Sequence, residues 1–245
     1  MSALVETKGL RAGYGSVEVV RGIDLSVEPG EVVAVLGPNG AGKTTTLLTL
    51  SGELAPLGGE LEVLGCRGST PLHLLARQGL ALVTQERAVL MTLTAEENLR
   101  VSRCDVGRAI ELFPELEAHL GRRVGLLSGG QQQMLALARG LARGPRLLLV
   151  DELSLGLAPL IVERLLGVVR AAADDGVGVL LVEQHVHQAM EVADRVLVMR
   201  RGTIALAGRA DQLRDRADDI RDAYLSTNDT GGNNGDDPTP ATIAH

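Results

Sequence analysis

Gly37-Pro38-Asn39-Gly40-Ala41-Gly42-Lys43-Thr44-Thr45 is the stretch that decides how this chain is read. It fits G-x-x-x-x-G-K-[ST], a phosphate-binding loop. Just before it, Val32-Val33-Ala34-Val35-Leu36 is short, apolar and mostly β-branched, which predicts a buried strand. Just after it, Thr44 to Leu50 predicts the first turns of a helix ending near Ser51-Gly52. Gly37, Gly40 and Gly42 let the backbone curl until its N–H groups converge on one anion, and the helix start adds partial positive charge to that hollow. Lys43 is placed to reach the β- and γ-phosphates, and the Thr44 hydroxyl to hold Mg²⁺. A glycine-rich turn that binds nothing has no need of strand, loop, Lys and Thr in register. The stretch predicts a nucleoside triphosphate site.

Composition narrows the setting. The 245 residues allow one large domain or two small ones, with 45% hydrophobic and 22% charged residues, as in ordinary globular proteins. No apolar run approaches the roughly 18 residues of a membrane span. Met1 to Glu6 carry no basic start and no apolar core, so export is not expected. A net charge of −7 argues against nucleic acid as the main partner. Cys66 and Cys104 lie far apart without metal or redox spacing and read as spectator thiols.

Upstream of the loop, Leu4–Leu10 and Val17–Val27 predict strands. Glu28-Pro29-Gly30-Glu31 has Pro and Gly where a type II turn wants them, predicting a hairpin between Gly22–Val27 and Glu31–Leu36. Tyr14, between Gly13 and Gly15, can stack on an adenine or simply occupy a turn. Downstream, Gly58-Gly59-Glu60 reads as a turn, Leu61–Leu64 as a strand and Leu72–Arg77 as a helix. Leu80–Val83 is an apolar strand whose end delivers Gln85 into a cleft. Thr94-Ala95-Glu96-Glu97 opens a helix, and Ala109–Leu120 is a second, interrupted at Phe113-Pro114.

Leu127-Ser128-Gly129-Gly130-Gln131 then leads an amphipathic helix ending at Gly144-Pro145, so its start is a second anion-binding geometry or, taken alone, an ordinary N-cap. Leu147 to Val150 is a fully apolar strand ending in Asp151-Glu152. Two adjacent carboxylates repel unless a cation is near, and a nucleotide-bound Mg²⁺ supplies one. Asp151 then serves the metal and Glu152 the attacking water. Pro159 opens a helix to about Ala173, and Val177–Val182 is a strand followed by Glu183-Gln184-His185. Of five histidines His185 is the best placed to reach a γ-phosphate, although a lone His is more often structural. Val196–Met199 and Thr203–Ala207 predict a hairpin, Asp211–Leu225 a surface helix, and residues 226–245 a disordered tail.

Taken in order, Tyr14, Gly37–Thr45, Gln85, Leu127–Gln131, Leu147–Glu152, Ser154–Pro159 and His185 resemble the ATP-binding subunit of an ABC transporter, over nearly everything from Leu4 to Leu225. The pentapeptide ahead of the Asp151 strand is far more specific than the loop alone. The resemblance implies an α/β P-loop NTPase of the ABC ATPase type: a mixed sheet core, an N-terminal antiparallel β subdomain and an inserted helical subdomain. It implies one ATP-binding domain over residues 1–225, with about 93–145 as the helical part. It also implies ATP between two head-to-tail subunits, the Leu127–Gln131 tip of one serving the nucleotide of the other. Tyr14 is then the adenine platform, Gln85 a ligand of Mg²⁺ and water beside Thr44 and Asp151, and His185 a γ-phosphate contact.

Ser154–Pro159, Leu181–His185 and Gly129–Met134 carry a nearer likeness to the ATPases of branched-chain amino acid importers. That implies transmembrane permease partners, a second ATPase subunit of the same or a related kind, and a place on the cytoplasmic face of the cell membrane. Three stretches depart from the pattern. Leu153 stands where Pro is usual, Gln131-Gln132 changes the charge at the signature helix, and the stretch from Asn98 to Leu112 is short. A soluble ABC ATPase acting on ribosomes or DNA is the alternative; one cassette, no heptad insertion, no zinc spacing and an acidic balance weigh against it. No Asn-Lys-x-Asp stretch supports a GTPase.

Overall fold

The computed structural model describes residues 2–86 and 88–214. In chain order the elements are β1 (Val5–Tyr14), β2 (Val17–Val27), β3 (Val32–Leu36), α1 (Lys43–Leu50), β4 (Gly58–Val63), β5 (Cys66–Arg67), α2 (Leu72–Arg77) and β6 (Leu80–Val83). There follow α3 (Ala95–Val101), α4 (Val106–Leu112), two 3₁₀ segments (Pro114–His119 and Val124–Leu126) and α5 (Gly129–Leu141). The rest is β7 (Leu147–Asp151), α6 (Pro159–Asp174), β8 (Gly178–Glu183), α7 (Val186–Val192), β9 (Arg195–Arg200), β10 (Thr203–Arg209) and α8 (Ala210–Arg214).

The strands form a four-stranded antiparallel sheet, β2-β1-β4-β5, and a six-stranded sheet, β10-β9-β3-β8-β7-β6. The larger sheet is mixed: β9, β3, β8, β7 and β6 are parallel, and β10 returns antiparallel on β9. Parallel strands put their C-terminal ends on one edge, where open α/β sheets carry their sites. That edge receives the ends of β3, β8, β7 and β6.

Every residue of β3, β7 and β8 is buried, as a parallel sheet covered on both faces requires. Successive residues serve opposite cores. Val33, Val35, Leu147, Leu149, Leu180 and Val182 pack with Leu10, Ile23, Leu47 and Leu50 of the antiparallel sheet and α1. Ala34, Leu36, Leu148, Val150, Val179 and Leu181 pack with Leu135, Leu137, Leu165 and Val169 of α5 and α6. Each Val, Leu or Ile among them contributes about 1.5–3 kcal/mol when fully buried.

The turn at Glu28–Glu31 forms, with Glu31 N–H donating to Glu28 O at 3.2 Å and Gly30 at φ 79°. The hairpin predicted there does not. β2 pairs with β1, whereas β3 crosses to the other sheet between β8 and β9. The reason lies in the side chains: β2 alternates, and β3 is apolar on both faces, so only a doubly covered sheet suits it. Gly58-Gly59-Glu60 is likewise strand and not turn. Gly59 lies against the backbone of Gly9 at a register shift between β1 and β4, where a Cβ would collide. The interruption at Phe113-Pro114 ends α4 and starts the first 3₁₀ segment. α8 is the described part of the helix predicted over Asp211–Leu225; the remainder and the tail lie outside the described residues.

Candidate functional site

β3 stops at Leu36, and Gly37 turns the chain under Met199, whose carbonyl a Cβ at position 37 would strike. Gly40 (φ 78°) and Gly42 (φ 106°) occupy left-handed backbone that suits glycine. Gly42 is the N-cap of α1 and offers no side-chain cap, so the first N–H groups of that helix are open to an external acceptor. Lys43, 4% exposed, donates from Nζ to Gly37 O at 2.8 Å and Pro38 O at 3.3 Å, bridging the ends of the loop. Its Nζ is 3.9 Å from Glu152 Oε1. Burial holds the ammonium below the ordinary lysine value, against the pull of Glu152, Asp151 and Glu183. Thr44 is exposed, whereas Thr45 is buried.

β7 delivers Asp151 and Glu152 to the same edge. Asp151 is 4% exposed and its Oδ1 has no hydrogen-bond partner among the described residues. Burial pushes its carboxyl up; a hydrogen bond with Thr44 opposes this, and the neighbouring Glu152 charge adds to it. An orphaned buried carboxylate oxygen beside a threonine hydroxyl is the donor set of a hard cation that keeps most of its ligands from water and phosphate. The residues present fit Mg²⁺. Glu152 has φ 49°, left-handed backbone that costs a non-glycine residue about 1–2 kcal/mol. Its N–H donates to Val182 O at 2.9 Å, and Leu153, with 1% exposure, is packed into the core at the position of the usual Pro.

β8 adds Glu183, which the sequence reading passed over. Its Oε1 accepts from Ser154 N–H at 3.0 Å and its Oε2 from the Ser154 hydroxyl at 2.7 Å. Burial pushes this carboxyl up, and the bonds with Ser154 and the Gln184 amide pull it back. The Ser154 Oγ is also 2.9 Å from His185 Nδ1. A hydroxyl has one proton, here given to the carboxylate, so Oγ accepts from Nδ1–H and the ring is held with that nitrogen protonated. A charged residue closing an otherwise apolar strand was the signal that marked Glu183 in the sequence.

Gln85 follows the end of β6 and is exposed, as is Tyr14 at the end of β1, with 51% of its surface free. Leu127 to Gln131 stand elsewhere. Ser128 caps α5, its Oγ accepting from Gln131 N–H at 3.3 Å while Gln131 Oε1 accepts from Ser128 N–H at 2.9 Å. Gln131 Nε2 meets His119 Nε2 at 2.8 Å. α5 packs on α3, α4, β6 and α6, whereas α1 packs on β1, β2, β7 and β8. The fold thus gathers Gly37–Thr45, Asp151, Glu152 and His185 at one sheet edge and seats the second glycine-rich tip on a different set of neighbours.

Among the described residues no helix is long and apolar enough to cross a membrane. Residues 20–154 match the family model of the ABC transporter. The high-affinity branched-chain amino acid transport ATP-binding protein BraG of Pseudomonas aeruginosa is 37% identical over 226 residues, 86% of this chain and 95% of the relative. A probable branched-chain amino acid transport ATP-binding protein, LivF of Archaeoglobus fulgidus, is 34% identical over 86% of this chain and 94% of its own. A solved ATP-binding subunit of an ABC transporter superposes with a TM-score of 0.78 at 27% identity, over 89% of this chain and 98% of that one. With a loop built for a triphosphate, paired carboxylates at the neighbouring strand end and a separate Ser-Gly-Gly helix tip, the chain belongs to the ATP-binding subunits of the ABC transporters and is an ATPase.

Proposed function

We propose that the chain is one of two ATPase subunits on the cytoplasmic face of a membrane importer for branched-chain amino acids or related small solutes. One observation carries the pairing: the Ser128 tip is a glycine-rich helix start whose packing neighbours are not those of the phosphate loop. A second subunit in head-to-tail array would present Leu127, Ser128, Gly129, Gly130 and Gln131 to the first one's ATP. The names of the relatives support the solute class. The segment 93–145 is the helical part on which permease subunits would press. The cleft of about 670 Å³ lined by Leu72, Ala88, Val101 and Arg139 is where such a contact could be felt next to the Gln85 segment.

In this reading Tyr14 stacks on adenine. Amides of Asn39, Gly40, Gly42 and Thr45 face the phosphates, while Gly37, Ala41 and Pro38, which has no N–H to give, shape the loop. The Lys43 ammonium moves from its loop carbonyls to the β- and γ-phosphates. Thr44, Gln85 and Asp151 hold Mg²⁺, which when bound neutralises charge developing on the phosphates. Glu152 takes a proton from the attacking water as its oxygen bonds to the γ-phosphorus and the bond to the β-bridging oxygen breaks, releasing ADP and phosphate. His185 contacts the γ-phosphate. Closure of the pair on ATP and release after hydrolysis do work on the permease through differential affinity.

Two measurements test this. Glu152→Gln should lower steady-state hydrolysis by about 10²–10⁴-fold with ATP affinity retained; full turnover in that variant would sink the assignment. Tagged chain drawn from detergent-solubilised membranes should bring permease subunits with it, and labelled leucine uptake should stop in cells carrying Glu152→Gln. Recovery with ribosomes or salt-sensitive retention on DNA would favour the soluble alternative instead.

A further inference from the structure

Among the described residues two acids are buried, Asp151 and Glu183, and the hydrolytic scheme uses only the first. Glu183 closes β8, in register with Leu36 at the end of β3 and one residue beyond the pair Val182 and Asp151. Both oxygens of its carboxylate bond Ser154, accepting from its main-chain N–H and its hydroxyl, and Oε2 also accepts from the Gln184 amide at 3.3 Å. Ser154 lies two residues after Glu152, whose left-handed φ of 49° is unfavourable for a side chain with a Cβ. Such a conformation persists only where the surroundings over-determine it. Here Val182 O holds the amide before the unusual residue and Glu183 the amide after Leu153. The carboxylate therefore braces the segment from the end of the neighbouring strand β8.

We propose that Glu183 is a positioning residue for hydrolysis: by gripping Ser154 it keeps Glu152 in the left-handed turn that faces Lys43 and the phosphate loop. The same grip orients His185 through the Ser154 hydroxyl. The role rests on Glu152 being the base, and it concerns the rate of the chemical step rather than the hold on nucleotide. Charge-assisted hydrogen bonds to a buried carboxylate are about twice as strong as neutral ones, which suits a brace.

The test uses the purified full chain, with steady-state ATPase kinetics, binding of a fluorescent ATP analogue and thermal melting. Glu183→Ala should lower kcat by about tenfold or more while KM and nucleotide affinity stay within about twofold. Glu183→Gln, which keeps an acceptor for the Ser154 amide, should recover most of kcat. Ser154→Ala loses only the hydroxyl bond and should fall between. In a Glu152→Gln background, Glu183→Ala should add no further loss to the residual rate. A folded Glu183→Ala with wild-type kcat overturns the proposal, as does a loss that persists in the Glu152→Gln background or a Gln variant no better than Ala. Should Glu183→Ala fail to fold, wild-type kcat in both Glu183→Gln and Ser154→Ala overturns it. If Glu152→Gln itself turns over normally, the base reading fails. If that variant is inactive and Glu183→Ala is not impaired, only the positioning role fails.

Discussion

The chain has two glycine-rich helix tips, and they are finished differently. At α1 the N-cap is Gly42, left-handed and without a side-chain cap, and the next residue is a buried lysine that bridges its own loop. At α5 the N-cap is Ser128, and a capping box with Gln131 satisfies the end of the helix from within. The first tip keeps its donors for a ligand and carries a buried ammonium held on its own loop carbonyls near Glu152. The second is self-sufficient and gains little internal stability from an anion. An active site that must grip and release is built from the unfinished tip. In the proposed pair, a surface presented to another molecule's nucleotide can be rigid in advance.

That contrast can be broken most directly at Lys43. Lys43→Ala should reduce kcat/KM for ATP by about 10²–10³-fold, the scale for removing a charge-stabilising donor, with no loss of melting temperature. A large fall in melting temperature would mean that the lysine is structural. Ser128→Ala should do the reverse. It should cost about 1 kcal/mol of stability through the lost cap, a few degrees in melting temperature, while the isolated chain's affinity for ATP is unchanged. Weaker ATP binding by the isolated chain would erase the distinction between the tips.

The smallest effect is a pH dependence confined to the second tip. Arg164 of α6 donates to Glu115 at 2.9 Å and to Leu112 O at 2.8 Å, and lies 5.2 Å from the Phe113 ring centre. It thereby staples the 3₁₀ segment whose His119 meets Gln131. The hydrogen bond from Arg164 holds the Glu115 carboxyl below its usual value of 4.5, against burial. A depressed carboxyl stabilises above its unfolded pKa and loses that contribution as pH falls through the lower folded value. Melting at pH values below 4.5 should therefore show wild type converging on Arg164→Ala, from a difference of less than about 1 kcal/mol at neutral pH. A gap that does not narrow would put the arginine's effect in its packing on Phe113.

Much of this was legible because the signals were local. Thr94 with Glu97 and Ser128 with Gln131 announce helix starts by spacing alone, and both make reciprocal caps. The loop at Gly37 was legible for the same reason, since its strand, glycines and Lys follow one another directly. The misplaced hairpin shows the limit. Glu28–Glu31 specifies a turn but not which sheet the chain enters next, and the five buried residues of β3 were the clue that it leaves the first sheet. Glu183 was missed because its partner, Ser154, is 29 residues away and no local spacing links a strand end to a distant loop.

Gly37 and Glu152 follow the ends of β3 and β7, and Glu183 closes β8 between them. Side chains alternate along a strand, so losing or gaining one residue in β8 would turn Glu183 toward the wrong core and carry Val182 O away from Glu152. Gene variants of this chain should therefore accept many apolar exchanges from Val179 to Val182 but no single-residue deletion there. Length, more than composition, is what that strand has to preserve.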